Sequence, residues 1–218
     1  MDNLIIVLNF KTYAEGTGAN ATRIAGDVED AVRGLGAQMI LAVQPTDISA
    51  VAARTGLKVF SQHIDPVGHG AHTGSITPFA VRDAGGSGAL INHSEKRVGI
   101  DAAISSIKLC KEAGISSIVC VESAVEATAI APANPDFIAV EDRGLIGSGK
   151  SILTHNPKVV EDAVNAVKGT GIGLLCGAGI SNKNDLRAAL EMGLDGVILS
   201  SAIIKSESPR MALERLLK

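Results

Sequence analysis

Short apolar runs alternate with helical segments about eight times along the 218-residue chain, and this alternation constrains its fold most strongly. The runs cover residues 4–8, 39–43, 57–60, 88–91, 117–121, 137–140, 172–175 and 195–199. Short apolar runs bounded by polar residues or glycine are typical of buried strands. Strands that alternate with helices predict a parallel sheet with right-handed crossovers. Because no linker or change of composition interrupts the eight units, we predict one (β/α)8 barrel domain over residues 1–218.

Helical spacing and capping residues mark the segments between these runs. Segment 20–35 has apolar residues at helical intervals, with Asn20 as its expected N-cap. Asn156 is the expected N-cap of a helix over 157–167, which has proline in its first turn. Further helices are predicted over residues 46–55, 77–84, 100–113, 123–131, 182–192 and 209–217.

An open doubly wound sheet is the alternative arrangement of such units. It would be expected to carry a Gly-x-Gly-x-x-Gly motif after its first strand. This chain has Asn9-Phe10-Lys11 at that point. The composition, 46% hydrophobic but only 2% aromatic, predicts an aliphatic core of the kind found where helices cover parallel strands.

Charge and cysteine content narrow the possible partners and the compartment. The net charge of -3 and the lack of basic clusters argue against a nucleic-acid partner. Cys110, Cys120 and Cys176 are odd in number and lack metal-ligand spacing, which indicates a reduced, cytosolic compartment. No basic signal-peptide region begins the chain, and no segment approaches the roughly 18 apolar residues that span a membrane. We therefore expect a soluble cytosolic protein with no membrane partner.

The segment 137–151 joins an apolar run to a carboxylate, Glu141, and then to glycines at 144, 147 and 149. A carboxylate at the end of a buried strand is poorly placed for packing and well placed for chemistry. Closely spaced glycines suggest a loop that bends, moves or brings its backbone N–H groups close to an anion. A surface glutamate before a flexible connection is the alternative interpretation.

In a (β/α)8 barrel, groups at the carboxyl ends of the strands face the active site. The candidates at these ends are Asn9, Lys11, Asn92, His93, Ser94, Glu95, Glu141, the segment 177–181, Ser200 and Ser201. They comprise a candidate base, an imidazole, an ammonium group and backbone-rich segments that suit a phosphate. The remaining histidines follow no such strand end and are expected to be structural or exposed: His63, His69, His72 and His155.

Four motifs in these positions resemble the triosephosphate isomerase family. They are Asn9-Phe10-Lys11, Asn92-His93-Ser94-Glu95-Lys96-Arg97, Glu141 followed by Leu145-Ile146-Gly147-Ser148-Gly149-Lys150, and Cys176-Gly177-Ala178-Gly179-Ile180-Ser181. The second and third motifs together are highly specific, and the four occur in the family's order over nearly the whole chain. The chain length is similar to that of the compact archaeal branch.

The resemblance implies a TIM barrel that interconverts dihydroxyacetone phosphate and D-glyceraldehyde 3-phosphate through an enediolate, in glycolysis and gluconeogenesis. It implies that Glu141 is the base and that His93 is a neutral electrophile, as in the family. Asn9 and Lys11 would supply further hydrogen bonds to the enediolate. Glu95 would pair with Lys11 or assist proton transfer. No cofactor and no metal are expected.

The resemblance also implies a phosphate site, a lid and an oligomer. Backbone N–H groups would hold the phosphate near Ile146, Gly147, Gly179, Ser181, Ser200 and Ser201. Loop 142–150 would be a lid that excludes water. Loop 62–75 would insert into a neighbouring subunit beside Lys11, with Thr73 reaching the partner's active site. A homodimer or homotetramer is expected.

Three departures from the family concern the lid and the phosphate site. Asp142 replaces the proline that usually follows the base, which predicts a more flexible first hinge. The family's Tyr-Gly-Gly-Ser segment is 176–179 here, without the tyrosine, and its Gly-Gly after strand 8 is Ser200-Ser201.

Two other functions compete: a class I aldolase, which needs a Schiff-base lysine at an inner strand end, and an inactive relative, which would have lost its base or electrophile.

Overall fold

The computed structural model describes residues 4–34, 36–145, 148, 150–177, 179–180 and 182–217. Within these residues, eight parallel strands pair in sequence order and close into a barrel, because β8 also pairs with β1. The strands are β1 (Ile5–Asn9), β2 (Gln38–Val43), β3 (Lys58–Ser61), β4 (Gly88–Ile91), β5 (Ser116–Val121), β6 (Phe137–Glu141), β7 (Gly173–Gly177) and β8 (Gly196–Leu199). The barrel predicted from the alternating pattern is confirmed.

Helices follow the strands around the outside of the barrel. They are α1 (Ala19–Val32), α2 (Ile48–Arg54), α3 (Pro78–Asp83), α4 (Ile100–Ala113), α5 (Ala124–Ile130), α6 (Ile152–His155), α7 (Pro157–Val167), α8 (Lys183–Glu191), α9 (Ser201–Ile204) and α10 (Pro209–Leu217). Short 3₁₀ turns lie at Ala14–Gly16, Pro45–Asp47 and Ala131–Ala133. Helices α6 and α9 were not predicted, because a four-residue helix is too short to show a helical period. No described helix is both long enough and apolar enough to cross a membrane.

The predicted N-cap at Asn20 is wrong. Helix α1 begins at Ala19, and Gly18 occupies the cap position with a φ of 62°. The Gly18 N–H donates to Asp47 Oδ2 at 3.0 Å, so a carboxylate from a neighbouring loop supports this end of the helix. Asn20 lies inside the first turn, and its amide donates to the carbonyl oxygen of Ala14.

Two apolar layers hold the barrel together. Alternate strand residues point into the barrel, and the others point out against the helices. The inward layer consists of Ile5, Val7, Ile40, Ala42, Phe60, Leu90, Ile118, Cys120, Ala139, Leu175 and Ile198. Phe60 fills the interior where Gly88 leaves space for it, since a Cβ atom on Gly88 would lie 2.3 Å from the Phe60 ring.

The same alternation carries polar side chains to the mouth of the barrel. Asn9 follows inward-facing Val7 by two residues, and Glu141 follows Ala139 in the same way. A strand places every second side chain on one face, so both groups belong to the inward face, one layer above the apolar filling. The fold therefore directs polar groups from separate strands toward one rim.

Candidate active site

Glu141 and His93 meet at this rim although they follow different strands. Glu141 is the last residue of β6, and His93 lies in the loop after β4. The Glu141 Oε1 atom lies 3.4 Å from His93 Nε2, and Oε2 lies 3.5 Å from the backbone nitrogen of Ser94. Both residues are buried, Glu141 with 3% and His93 with 7% of its surface exposed. A carboxylate and an imidazole thus face each other in a site largely shielded from solvent.

The hydrogen bonds around His93 define its tautomer. The backbone N–H of Glu95 donates to His93 Nδ1 at 3.2 Å. Because Nδ1 accepts this bond, it carries a lone pair, and the ring proton of the neutral imidazole lies on Nε2. The Glu95 carboxylate is 3.7 Å from Nδ1, beyond hydrogen-bond range, and does not change this assignment. The Nε2–H group therefore points toward Glu141 and the cavity.

Asn9 places a second donor beside the imidazole. Its Oδ1 accepts the backbone N–H of Lys11 at 3.0 Å, which fixes the orientation of the amide. Its Nδ2 then faces His93 Nε2 at 3.5 Å. Two N–H donors that point into one space cannot satisfy each other, so they are suited to an oxygen acceptor placed between them.

Lys11 is held at several points in an unusual conformation. Its φ of 50° lies in the left-handed region, which non-glycine residues seldom adopt. Its Nζ donates to Glu95 Oε1 at 2.6 Å, and its carbonyl oxygen accepts a bond from Gln62 Nε2 at 2.9 Å. Backbone strain of this kind is concentrated at functional sites, where surrounding contacts enforce it.

A cavity of about 470 Å³ opens next to these groups. Its lining comprises Asn9, Lys11, Thr12, Tyr13, Gln44, Pro45, Gln62, His63, Ile76, His93, Glu95 and Lys96. Tyr13, Gln44 and Gln62 were not among the site residues predicted from the sequence. Gln44 and Gln62 could have been found, because they follow inward-facing Ala42 and Phe60 by two residues, as Asn9 follows Val7.

His63, expected to be structural or exposed, is buried and also lines this cavity. Its Nε2 lies 3.1 Å from Asp65 Oδ1. Burial lowers the pKa of His63 below its ordinary value, although the bond to Asp65 partly opposes this effect. His63 is thus a neutral wall residue of the cavity, and its side chain bonds to Asp65 rather than to His93 or Glu141.

Asn92 builds the loop that carries His93. It has a φ of 61°, and its Oδ1 accepts the N–H groups of Val98 and Gly99 at 2.9 and 3.1 Å. Its Nδ2 donates to the carbonyl oxygen of Cys120 at 3.0 Å. One buried amide therefore ties the His93 loop to its own far end and to β5.

Cys120 and Arg97 do not line the cavity. Burial first, and then the negative charge of Glu141, raise the pKa of the Cys120 thiol well above its usual value. Cys120 is therefore a neutral packing group on the inward face of β5. Arg97 pairs with Glu126, a contact that keeps the pKa of Glu126 low despite partial burial.

The residues predicted to hold a phosphate are only partly described. Ile146, Gly147 and Ser181 lie outside the described residues. Gly179 has a φ of 71°, and a Cβ atom there would lie 1.9 Å from the carbonyl oxygen of Lys150, so glycine is required for the chain to approach the end of loop 142–150. Ser201 is the first residue of α9. Within the described part of the chain, the buried Ser200 hydroxyl has no hydrogen-bond partner.

No metal site accompanies this arrangement in the part of the chain that is described, where no three His, Cys, Asp or Glu side chains cluster as ligands. The described groups are instead a carboxylate, an imidazole donor, an amide donor and an ammonium group. Such a set can remove a proton from carbon and donate hydrogen bonds to a developing oxyanion.

Comparisons with known proteins give one family. The family model described as triosephosphate isomerase matches residues 4–217. The triosephosphate isomerase of Methanothermus fervidus is 42% identical over 219 residues, covering 100% of this chain and 99% of that protein. That of Methanobrevibacter smithii is 43% identical over 215 residues, covering 98% and 97%. The crystal structure of triosephosphate isomerase from Bartonella henselae shares the fold, with a TM-score of 0.74, 19% identity and coverage of 93% and 94%.

Proposed function

This chain belongs to the triosephosphate isomerase family, and we propose that it interconverts dihydroxyacetone phosphate and D-glyceraldehyde 3-phosphate. The reaction moves a proton between adjacent carbons through an enediolate and serves glycolysis and gluconeogenesis. The observation that carries the assignment of residues is the approach of the buried Glu141 carboxylate to His93 Nε2 at 3.4 Å.

In this mechanism Glu141 is the base. Its carboxylate removes a proton from the carbon next to the substrate carbonyl and returns it to the neighbouring carbon. A single carboxylate can do both, because the enediolate is flat and the two carbons lie side by side. Burial of Glu141 supports the role, since water is kept from competing for the proton.

His93 and Asn9 stabilise the enediolate oxygens. The Nε2–H of a neutral imidazole donates to an oxygen that becomes negatively charged, and Asn9 Nδ2 donates beside it. The hydroxyl proton must also move from one oxygen to the other, and Nε2 is suited to deliver it. These donors are already oriented by Glu95 N–H and Lys11 N–H, so little reorganisation is needed during the reaction.

Lys11 and the loops after β7 and β8 bind the anionic part of the substrate. The Lys11 ammonium group supplies a local positive charge in a protein whose net charge is -3. Glu95 holds this ammonium group at 2.6 Å and thereby directs it to the rim. We assign the phosphate to backbone N–H groups near Ile146, Gly147, Gly179, Ser181, Ser200 and Ser201.

A coupled isomerase assay on purified protein tests the proposal. We expect activity in the native protein and a loss of about 10²–10⁴-fold in kcat for Glu141→Gln and for His93→Gln. The matched controls are Glu161→Gln on α7 and His155→Gln on α6, which change exposed residues outside the cavity lining. An inactive native protein, or full activity in either site variant, would overturn the assignment.

We also propose that the chain assembles with itself, at least as a homodimer. The described residues 69–75 of loop 62–75 are exposed, and Thr73 is among them. Asp65 closes the base of the loop, because its Oδ2 accepts the Ile76 N–H at 2.7 Å and its own N–H donates to the Ile76 carbonyl oxygen. We propose that this loop from a second copy packs beside Lys11, at the edge of the cavity, and leaves the cavity itself to the substrate.

Light scattering tests the assembly. Two copies of the 22.3 kDa chain would give twice that mass, and four copies would give four times that mass. A Thr73→Arg variant is expected to shift the mass toward the monomer, whereas Val125→Arg, at an exposed position away from the loop, is the control. A monomeric native protein contradicts the proposal.

We further place the protein in the cytosol, which the three free, buried cysteines support.

A further inference from the structure

The turn directly after Glu141 is closed by the side chain of Asp142. The Asp142 Oδ1 atom accepts a hydrogen bond from the Gly144 N–H at 2.9 Å. The backbone carbonyl oxygen of Asp142 accepts one from the Leu145 N–H, also at 2.9 Å. An aspartate that bonds to the backbone two residues further on forms an Asx turn, which fixes the chain locally. The chain therefore forms a hydrogen-bonded turn at the position of the missing proline.

The second oxygen of Asp142 is bound by Asn156. The Asn156 Nδ2 donates to Asp142 Oδ2 at 2.9 Å. Asn156 occupies the N-cap position of α7, as predicted, but its side chain makes no capping hydrogen bond. Asparagine is among the best N-capping residues, so a favourable local bond is given up for a contact 14 residues back in the chain.

We propose that Asp142 and Asn156 form a clamp that positions Glu141 for the reaction. On its amino-terminal side Glu141 is fixed by β6, which pairs with β7 up to Gly177. On its carboxyl-terminal side the fixed turn of Asp142 follows immediately. Asn156 anchors that turn to α7, so the backbone of Glu141 is held from both directions. This inference rests on the proposed role of Glu141 as the base.

The chemistry of the pair gives a test by exchange. In Asn156→Asp the donor becomes an acceptor of similar size, and two carboxylates face each other. In the double variant Asp142→Asn/Asn156→Asp, the amide oxygen introduced at position 142 accepts the Gly144 N–H, while the amide nitrogen donates to the carboxylate introduced at position 156. The exchange rebuilds both hydrogen bonds with the same total charge. Asp142→Asn alone is expected to be tolerated. The Asn156 side chain can rotate by 180° so that its oxygen accepts a hydrogen bond from the amide nitrogen introduced at position 142.

Steady-state kinetics of the purified full chain measure the effect. A misplacement of about 1 Å costs roughly a hundredfold in rate, so we expect kcat to fall about tenfold or more in Asn156→Asp, with KM changed less than about threefold. The exchanged double variant should recover kcat to within about threefold of the native protein. Asn165→Asp adds the same charge at an exposed position of the same helix and should leave kcat unchanged.

Thermal melting shows which variants fold, and Asn156→Ala, which removes the donor without adding a charge, replaces Asn156→Asp if that variant fails to fold. The clamp is wrong if the Asn156 variants keep the kcat of the native protein. It is also wrong if the double variant has no higher kcat than Asn156→Asp. Native protein and Glu141→Gln, measured in the same assay, test the proposed function separately. If the native protein is active, Glu141→Gln is inactive and the double variant Asp142→Asn/Asn156→Asp does not recover kcat, the clamp is rejected and the proposed function stands.

Discussion

The side-chain nitrogen of Gln62 lies 2.9 Å from the carbonyl oxygen of Lys11, the residue whose backbone is held at a φ of 50°. The same nitrogen donates to the carbonyl oxygen of Ala42 at 3.1 Å. Gln62 therefore links the chain after β1 to β2 at the point where Lys11 enters the cavity. The N–H of Lys11 is bound by Asn9, so both of its polar backbone groups have side-chain partners.

Replacing Gln62 by methionine tests whether these bonds hold the strained lysine in place. Left-handed strain at a non-glycine residue costs on the order of 1–3 kcal/mol, and without the Gln62 amide Lys11 is expected to relax and withdraw its ammonium group. We expect kcat/KM to fall about tenfold, mainly through a higher KM for the anionic substrate. The measurement is initial rate against substrate concentration.

The matched control is Gln44→Met. Gln44 lines the same cavity, but its amide donates to Thr17 Oγ1 at 2.9 Å rather than to Lys11. We expect this variant to keep kcat/KM within about twofold, since the bond it loses adds only about 1 kcal/mol to folding. Equal losses in the two variants would contradict a specific link between Gln62 and Lys11.

The tautomer of His93 is a second prediction. Because the Glu95 N–H donates to Nδ1 at 3.2 Å, ¹⁵N NMR of the resting protein should show His93 with a protonated Nε2 and an unprotonated Nδ1. The donor is a backbone group, so Glu95→Gln should preserve the tautomer while it weakens the hold on Lys11. A protonated Nδ1 in either protein would contradict the role of His93 as the donor at Nε2.

Most of this site could be predicted from the sequence, and the parts that could not be predicted were missed for physical reasons. The buried runs predicted the barrel, and strand ends predicted Asn9, Lys11, His93, Glu95 and Glu141, which the structure brings to one rim. The bond from the Gln62 side chain to the Lys11 carbonyl oxygen was not predicted, because contacts between residues that follow different strands depend on the register of those strands. Register is set by packing such as Phe60 over Gly88, which no single strand reveals.

That packing gives a third prediction. A Cβ atom at Gly88 would lie within 2.3–2.5 Å of three atoms of the Phe60 ring in the barrel interior. Gly88→Ala should therefore lower the free energy of unfolding by about 1–3 kcal/mol, the usual cost of overpacking. Urea denaturation measures the change.

Two further variants separate overpacking from a general effect of losing glycine. Gly56→Ala adds the same methyl group at an exposed position outside loop 62–75, where the nearest atom, Glu29 Oε1, lies at an ordinary contact distance of 3.4 Å, and it should be nearly neutral. Phe60→Leu combined with Gly88→Ala makes room for the methyl group and should recover part of the loss. If Gly56→Ala were as damaging as Gly88→Ala, or if Phe60→Leu gave no recovery, the steric account would be wrong.

The buried thiols predict a loss of stability at alkaline pH. Burial raises the pKa of Cys110 and of Cys176 to about 12, from an ordinary value of 9.0. The folded protein therefore favours the protonated thiols, and their contribution to stability is fully present below pH 9. It is lost progressively as the pH rises from 9 toward 12, because the unfolded chain then releases protons that the folded chain retains. At pH 10 the loss is about 1.4 kcal/mol for each thiol.

The variant Cys110→Ala/Cys176→Ala isolates this contribution. This variant lacks both thiols, so its free energy of unfolding should fall less between pH 8 and pH 10 than that of the native protein. The difference between the two losses should be about 3 kcal/mol. Urea denaturation at the two pH values gives this difference directly, and any constant cost of the cavities that alanine leaves cancels from it. Parallel pH profiles for the two proteins would mean that the thiols ionise as readily in the folded chain as in the unfolded one, contrary to their burial beneath the helices and strands.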